Sequence, residues 1–356
     1  MVSITRQQAI CMFYCEKYNE ENIVKLSKRI EEIEDVDICY MNDPASPLLQ
    51  CQKRINQNPF MYNLYPTEDS NDEKSASLEI KLQNQVQVAQ FLNLTYLSCD
   101  PGNEEMFDRK DVTVNEVMDT AMKFSAFFDN YTINAFGQWC GRKKLDFLQV
   151  QSKRGGKDGE RITTRSLYVL KDKFIHDAVY KITSYLPRYQ NYVKSLKKEG
   201  YVIIGYARKS PSVDCKFTQK RCLQSMCDRL KERSLVDSIF VSNYCKAAEP
   251  LADRDMKKNE DILAQLNVAG DMQDALQFIA EKSKICLVAL DYAGLTTNTA
   301  DLKQFLRNNE QIKKIIVDRL PISNEAHVYE SSELIEEQEI LKLFDCRKRS
   351  YQRSLE

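Results

Sequence analysis

The stretch "YVIIGYARKSP", residues 201–211, joins an apolar run to a basic residue and a hydroxyl. An unbroken apolar run of this length suits a strand buried on both faces, as strands of a parallel sheet are. Arg208 and Ser210 stand where that strand ends, two residues apart and so on the same side of an extended chain. A cation beside a hydroxyl suits phosphate chemistry. Ser210 followed by Pro211 also suits the N-cap and first position of a helix.

Outward from this stretch the pattern repeats. The runs "SIFVS" (238–242), "ICLVAL" (285–290) and "KIIV" (314–317) are short enough for strands and alternate with segments of helical spacing. Leu223, Met226 and Leu230 share one helical face, and Leu302, Phe305 and Leu306 another. The reading is an α/β fold: a C-terminal, mainly parallel sheet with crossover helices. Such sheets carry their chemistry at the carboxyl ends of the strands, which here offer Arg208, Ser210, Ser242, Asp291 and Asp318.

The preceding residues read as a mainly helical region, giving two domains, 1–199 and 200–356. "PTEDSNDEKSAS" (66–77) lacks core-forming residues and reads as a mobile loop. "TVNE" (113–116) is a capping-box pattern ahead of Val117, Ala121, Phe124 and Phe128, and "INAFGQWCGRKK" (133–144) reads as a second helix. A third is expected from Thr164 to just before Pro187.

Between Gly141 and Lys173 stand ten Lys or Arg against four acids. Arg142, Lys143, Lys144, Lys153, Arg154, Lys157, Arg161 and Arg165 are candidate contacts to the phosphates of double-stranded DNA. The two helices before the loop "QSKRGGKDGER" are candidates for a helix-turn-helix ending in Trp139 and Arg142 to Lys144. Trp139 also suits a core anchor.

Composition sets further bounds. Lys and Arg total 51 against 52 Asp and Glu, so only a local basic surface can attract a polyanion. Twelve cysteines without a C-x-x-C, and two histidines, give no zinc-ligand spacing, and no motif implies a cofactor. No apolar run approaches a membrane span. An intracellular protein with reduced thiols is expected, and "CRKRSYQR" (346–353) has the character of a short nuclear signal.

Together with "LDYAGLTTNTADLKQF" (290–305), the stretch "GYARKS" resembles the catalytic domain of serine recombinases of the resolvase and invertase family. That family begins with a strand ending in Tyr-x-Arg-x-Ser, which Tyr206, Arg208 and Ser210 fit position for position. Its third strand runs into Leu-Asp-Arg-Leu-x-Arg, and Leu290 and Asp291 fit the first two positions. The resemblance covers residues 200–330. It implies a serine that attacks a DNA phosphodiester to form a phosphoserine link, while arginines neutralise the nonbridging oxygens. On this reading Ser210 is the nucleophile, Arg208 and Arg254 of "AEPLADRD" (248–255) are phosphate ligands, and Tyr206 and Asp291 complete the site.

The departures matter as much. Where the family has its two arginines after Leu-Asp, this chain has Tyr292 and Leu295. One missing transition-state donor costs ~3–4 kcal/mol. Pro211 stiffens the segment that carries the nucleophile. "SSELIEEQEILKLFDCRKRS" (331–350) allows a C-terminal helix of only about 18–20 residues, ~30 Å long. A DNA-binding module is expected ahead of the resolvase-like part, and the basic segment 141–173 is the candidate.

The expectation is a resolvase-like DNA-binding or assembly protein, a candidate homo-oligomer, with impaired or absent strand exchange. One alternative is an active site-specific serine recombinase with an N-terminal DNA-binding region. Another is an unrelated α/β nucleotide-binding or protein-interaction module in which Ser210 is only a cap, although Gly205 alone makes a poor phosphate loop.

Overall fold

The computed structural model describes residues 4–41, 43–57, 60–66, 81–157, 160–211, 216–256, 263–319 and 325–346. The stretch 67–77 of the expected mobile loop and residues 347–353 of the basic tail lie outside the described residues. The chain forms two compact units, Met1–Arg188 and Tyr189–Glu356. Among the described residues no helix is long and apolar enough to cross a membrane.

In the first unit, β1 (Val36–Tyr40), β2 (Leu48–Cys51) and β3 (Asn63–Leu64) form an antiparallel sheet in the order β2-β1-β3. The helices Arg6–Phe13 and Glu20–Glu31 belong to the same core, through Ile10, Leu26, Ile30 and Ile38. A second antiparallel sheet contains β4 (Tyr96–Leu97), β5 (Phe107–Thr113), β6 (Lys153–Lys157) and β7 (Glu160–Leu170), all three others pairing with β7. The helices Gln85–Thr95, Val114–Phe124 and Ile133–Lys143 supply its core, where Phe91, Phe128, Phe136 and Trp139 are buried.

The capping box at Thr113 and Glu116 forms as expected, each side chain bonded to the other's backbone N–H. The mainly helical character does not hold throughout, because two sheets accompany the helices. The helix expected from Thr164 is a strand as far as Leu170, and the loop "QSKRGGKDGER" is largely a hairpin. β-Branched Ile162, Thr163, Thr164 and Val169 favour the extended chain over the helical spacing of Leu167, Leu170 and Phe174.

The second unit is built on β8 (Val202–Lys209), β9 (Ser238–Asn243), β10 (Ile285–Leu290), β11 (Ile312–Asp318) and β12 (Ala326–Glu330), in the order β12-β11-β10-β8-β9. The four runs read from the sequence pair in parallel: β8 with β9, β8 with β10, and β10 with β11. The helices Lys216–Ser234, Met272–Ala280 and Thr299–Asn308 make the three crossovers. Gly205 lets the first of these approach, since a Cβ there would stand 3.2 Å from Leu230 Cδ1. β12 adds an antiparallel edge that the sequence reading lacks. The expected C-terminal helix is two short ones, Ser331–Glu336 and Gln338–Lys342, broken at Glu337 with φ −96° and ψ 108°.

The helix Asp172–Lys198 continues through Pro187 rather than stopping before it. Proline there removes one backbone donor and crowds the preceding turn. Burial on both sides outweighs this, through Phe174, Val179 and Ile182 before it and Tyr189, Val193 and Leu196 after it. Pro187 itself is exposed. Pro187→Ala should therefore raise stability by about 1–3 kcal/mol, measurable as a higher midpoint in urea with an unchanged slope.

Candidate functional site at the carboxyl edge of the parallel strands

Ala289 of β10 pairs with Tyr206 of β8, so Asp291, two residues on, comes level with Arg208. Ser210, Arg208 and Asp291 therefore share the carboxyl edge of two neighbouring parallel strands. Ser210 is exposed and Arg208 is buried. Arg208 donates from Nη1 to Ser210 Oγ at 2.9 Å and to Cys245 O at 2.8 Å. Its Nε and Nη2 both donate to Ala293 O, at 3.2 and 2.6 Å. One guanidinium thus ties together the ends of β8, β9 and β10 and holds the serine at its rim. Ser210 Oγ is an acceptor in this bond, and among the described residues no carboxylate or imidazole is hydrogen-bonded to it.

Arg254 is more completely enclosed, at 0% exposure. Its Nε donates to Glu249 O at 3.2 Å and Nη1 to Tyr206 Oη at 3.0 Å and Leu295 O at 2.7 Å. Its Nη2 donates to Ala247 O at 3.3 Å and to Glu249 O at 3.0 Å. All five N–H donors of the side chain are taken by protein oxygens, four of them by backbone carbonyls. Its charge also lies 5.7 Å from the centre of the Tyr206 ring. In this arrangement Arg254 has no donor left for a bound phosphate.

Tyr206 starts a buried chain of hydrogen bonds. Its hydroxyl donates to Ser242 Oγ at 2.7 Å, and Ser242 donates to Asp255 Oδ2, which also accepts the Met272 N–H at 3.2 Å. Burial raises the pKa values of both Tyr206 and Asp255. Ser242 is visible in the sequence as a strand end, but Asp255 is not, because its partners come from β9 and the helix Met272–Ala280. Asp318 is buried and ion-paired with Arg233 at 2.7 Å.

Backbone strain gathers at this edge. Tyr244, Asp255 and Asp291 all have positive φ, at 75°, 59° and 63°. Asp291, with ψ 155°, lies in a region that is essentially reserved for glycine and costs of order 1–3 kcal/mol. Its N–H is held by Asp318 O at 2.8 Å. Tyr292 and Leu295 turn inward: Leu295 is in the core, and the Tyr292 hydroxyl lies 2.6 Å from that of Tyr329. Arg319 stands 5.8 Å from the centre of the Tyr292 ring.

In the first unit, Arg142 and Lys143 close the helix Ile133–Lys143, and Lys144 caps it in the left-handed conformation. Lys153, Arg154 and Lys157 are on β6, and Arg161 and Arg165 on β7. Arg165 Nε donates to Val150 O at 3.2 Å. The helix-turn-helix arrangement is not supported. A recognition helix reads DNA with its N-terminal residues, and the cations here lie in the last turn. Trp139 is a core residue, its indole N–H bonded to Gln85.

No protein-family model, curated protein or solved structure matches this chain.

Two outcomes follow. Arg254→Met takes the donor from the Glu249 and Leu295 carbonyls and from the Tyr206 hydroxyl, while Ala247 O keeps the Thr297 N–H and Thr296 Oγ1, so stability should fall by about 3 kcal/mol or more. Arg254→Lys should fall nearly as far in denaturant titration, because an ammonium cannot span that acceptor set. The second concerns His327, stacked 6.2 Å from Tyr292. Burial, opposed by Glu325 and reinforced by Arg319, holds its pKa below the ordinary 6.5. The unfolded chain binds this proton first, so stability is complete above about pH 6.5 and is lost as pH falls through the lower folded value. His327→Phe should flatten that part of the stability–pH curve.

Proposed function

We propose that the second unit is a resolvase-like domain whose phosphate pocket has closed, in a protein that binds duplex DNA or assembles on it without efficient strand exchange. The observation that carries this reading is the satisfied guanidinium of Arg254, with every donor spent on the protein itself. The buried Tyr292 and Leu295 support it from the other side, since neither supplies a cation to Ser210. The order of elements agrees with the resemblance: the Tyr-x-Arg-x-Ser strand is the first of its unit, and Leu290–Asp291 follows at the end of the third.

The arithmetic favours lost catalysis. Two absent transition-state donors at ~3–4 kcal/mol each amount to roughly 10⁴- to 10⁶-fold in rate if they add. The Arg208–Ser210 bond favours the second reading, an active serine recombinase, because it keeps a cation on the nucleophile.

A covalent trap separates the two. A duplex carrying an activated phosphodiester is incubated with the parent and with Ser210→Ala, and the protein is assayed for a DNA adduct that survives denaturation. The expected result is no adduct in either beyond background. A strong adduct in the parent that vanishes in Ser210→Ala would establish the active recombinase instead.

A further inference from the structure

The first unit carries a feature that fits one particular nucleic-acid shape. β5 pairs with β7 only as far as Thr113 opposite Thr164, and β4 pairs with Tyr168 and Val169. From Thr164 back to Glu160, the partner of β7 is β6, in the register Lys153–Thr164, Arg154–Thr163, Gly155–Ile162, Gly156–Arg161 and Lys157–Glu160. Two strands therefore leave the sheet as a ribbon about 14 Å long at ~3.4 Å per residue.

Directly paired residues share a face, so the register sorts the ribbon. Positions 154, 163 and 165 lie on one face and read Arg, Thr and Arg. Of these three positions two are cationic and none is acidic. Lys153, Arg154 and Thr163 are exposed, and neither cation is ion-paired among the described residues.

We propose that the ribbon β6–β7 enters the major groove of B-form duplex DNA, with the Arg154, Thr163 and Arg165 face toward the nucleic acid. This rests on the DNA-binding part of the function proposed above. A B-form major groove, about 12 Å wide, admits a two-stranded ribbon. The deep, narrow major groove of A-form RNA does not. Single strands are held by stacking on aromatic side chains, and positions 153–157 and 160–165 contain none. Membrane surfaces call for an apolar face, and Ile162 is the only large apolar residue in these positions.

The test uses the full chain and a labelled duplex of about 25 base pairs titrated at several salt concentrations, with Arg154→Ala and Thr163→Glu as variants. Both positions are exposed, and thermal unfolding checks that the fold is kept. Binding should weaken roughly tenfold in each variant, and Arg154→Ala should lower the salt slope by about 0.9 for one lost phosphate contact. Methyl green, which occupies the major groove, should displace the protein, and netropsin, which occupies the minor groove, should not. Unchanged affinity and slope in both variants, displacement by netropsin alone, or tighter binding to a single strand would overturn the ribbon assignment while leaving DNA binding intact. Absence of duplex binding by the parent at low salt would overturn both.

Discussion

The carboxyl edge of the second unit hangs on a buried guanidinium that pairs with no carboxylate among the described residues. Arg254 meets the carbonyls of Ala247, Glu249 and Leu295 and the Tyr206 hydroxyl, and so fixes the segments after β9 and β10 against the strand between them. A planar donor set suits this task, because five directed bonds share the work of replacing water around one charge. Arg208 repeats the device one layer out, through Cys245 and Ala293. Positive charge at this edge is therefore a construction material, and the geometry of Ser210 is inherited from it.

Much of the second unit is legible in the sequence for a simple reason. Each parallel strand is buried on both faces, and "VIIGYA", "IFVS", "ICLVAL" and "IIV" say so without ambiguity. β12, "AHVYE", is an antiparallel edge that includes half-buried positions, and its residues do not single out a strand. In the first unit the strands are antiparallel and half-exposed, with charged residues on β5, β6 and β7, so no continuous apolar run announces them. The Asp158-Gly159 pair in the sequence between Lys157 and Glu160 carries a hairpin preference that composition alone passes over.

The candidate site divides in the same way. Tyr206, Arg208, Ser210 and Asp291 are local signals at strand ends and can be read one motif at a time. What those side chains touch cannot. Whether an arginine faces a ligand or a ring of carbonyls depends on loops folding back from elsewhere, and Asp255 joins Ser242 only through such a return. Sequence identifies the groups that chemistry needs, and the tertiary fold decides which are free to perform it.

The backbone at Asp291 has a consequence for how this chain could drift over generations. Folding alone would select glycine there, since glycine adopts φ 63° and ψ 155° without a Cβ penalty. Every generation in which an aspartate survives at that position is therefore a small wager against stability. Among descendants of this sequence, the balance between glycine and aspartate at 291 would act as a gauge: glycine would accumulate where only the scaffold is under selection, and aspartate would persist where its carboxylate still has work.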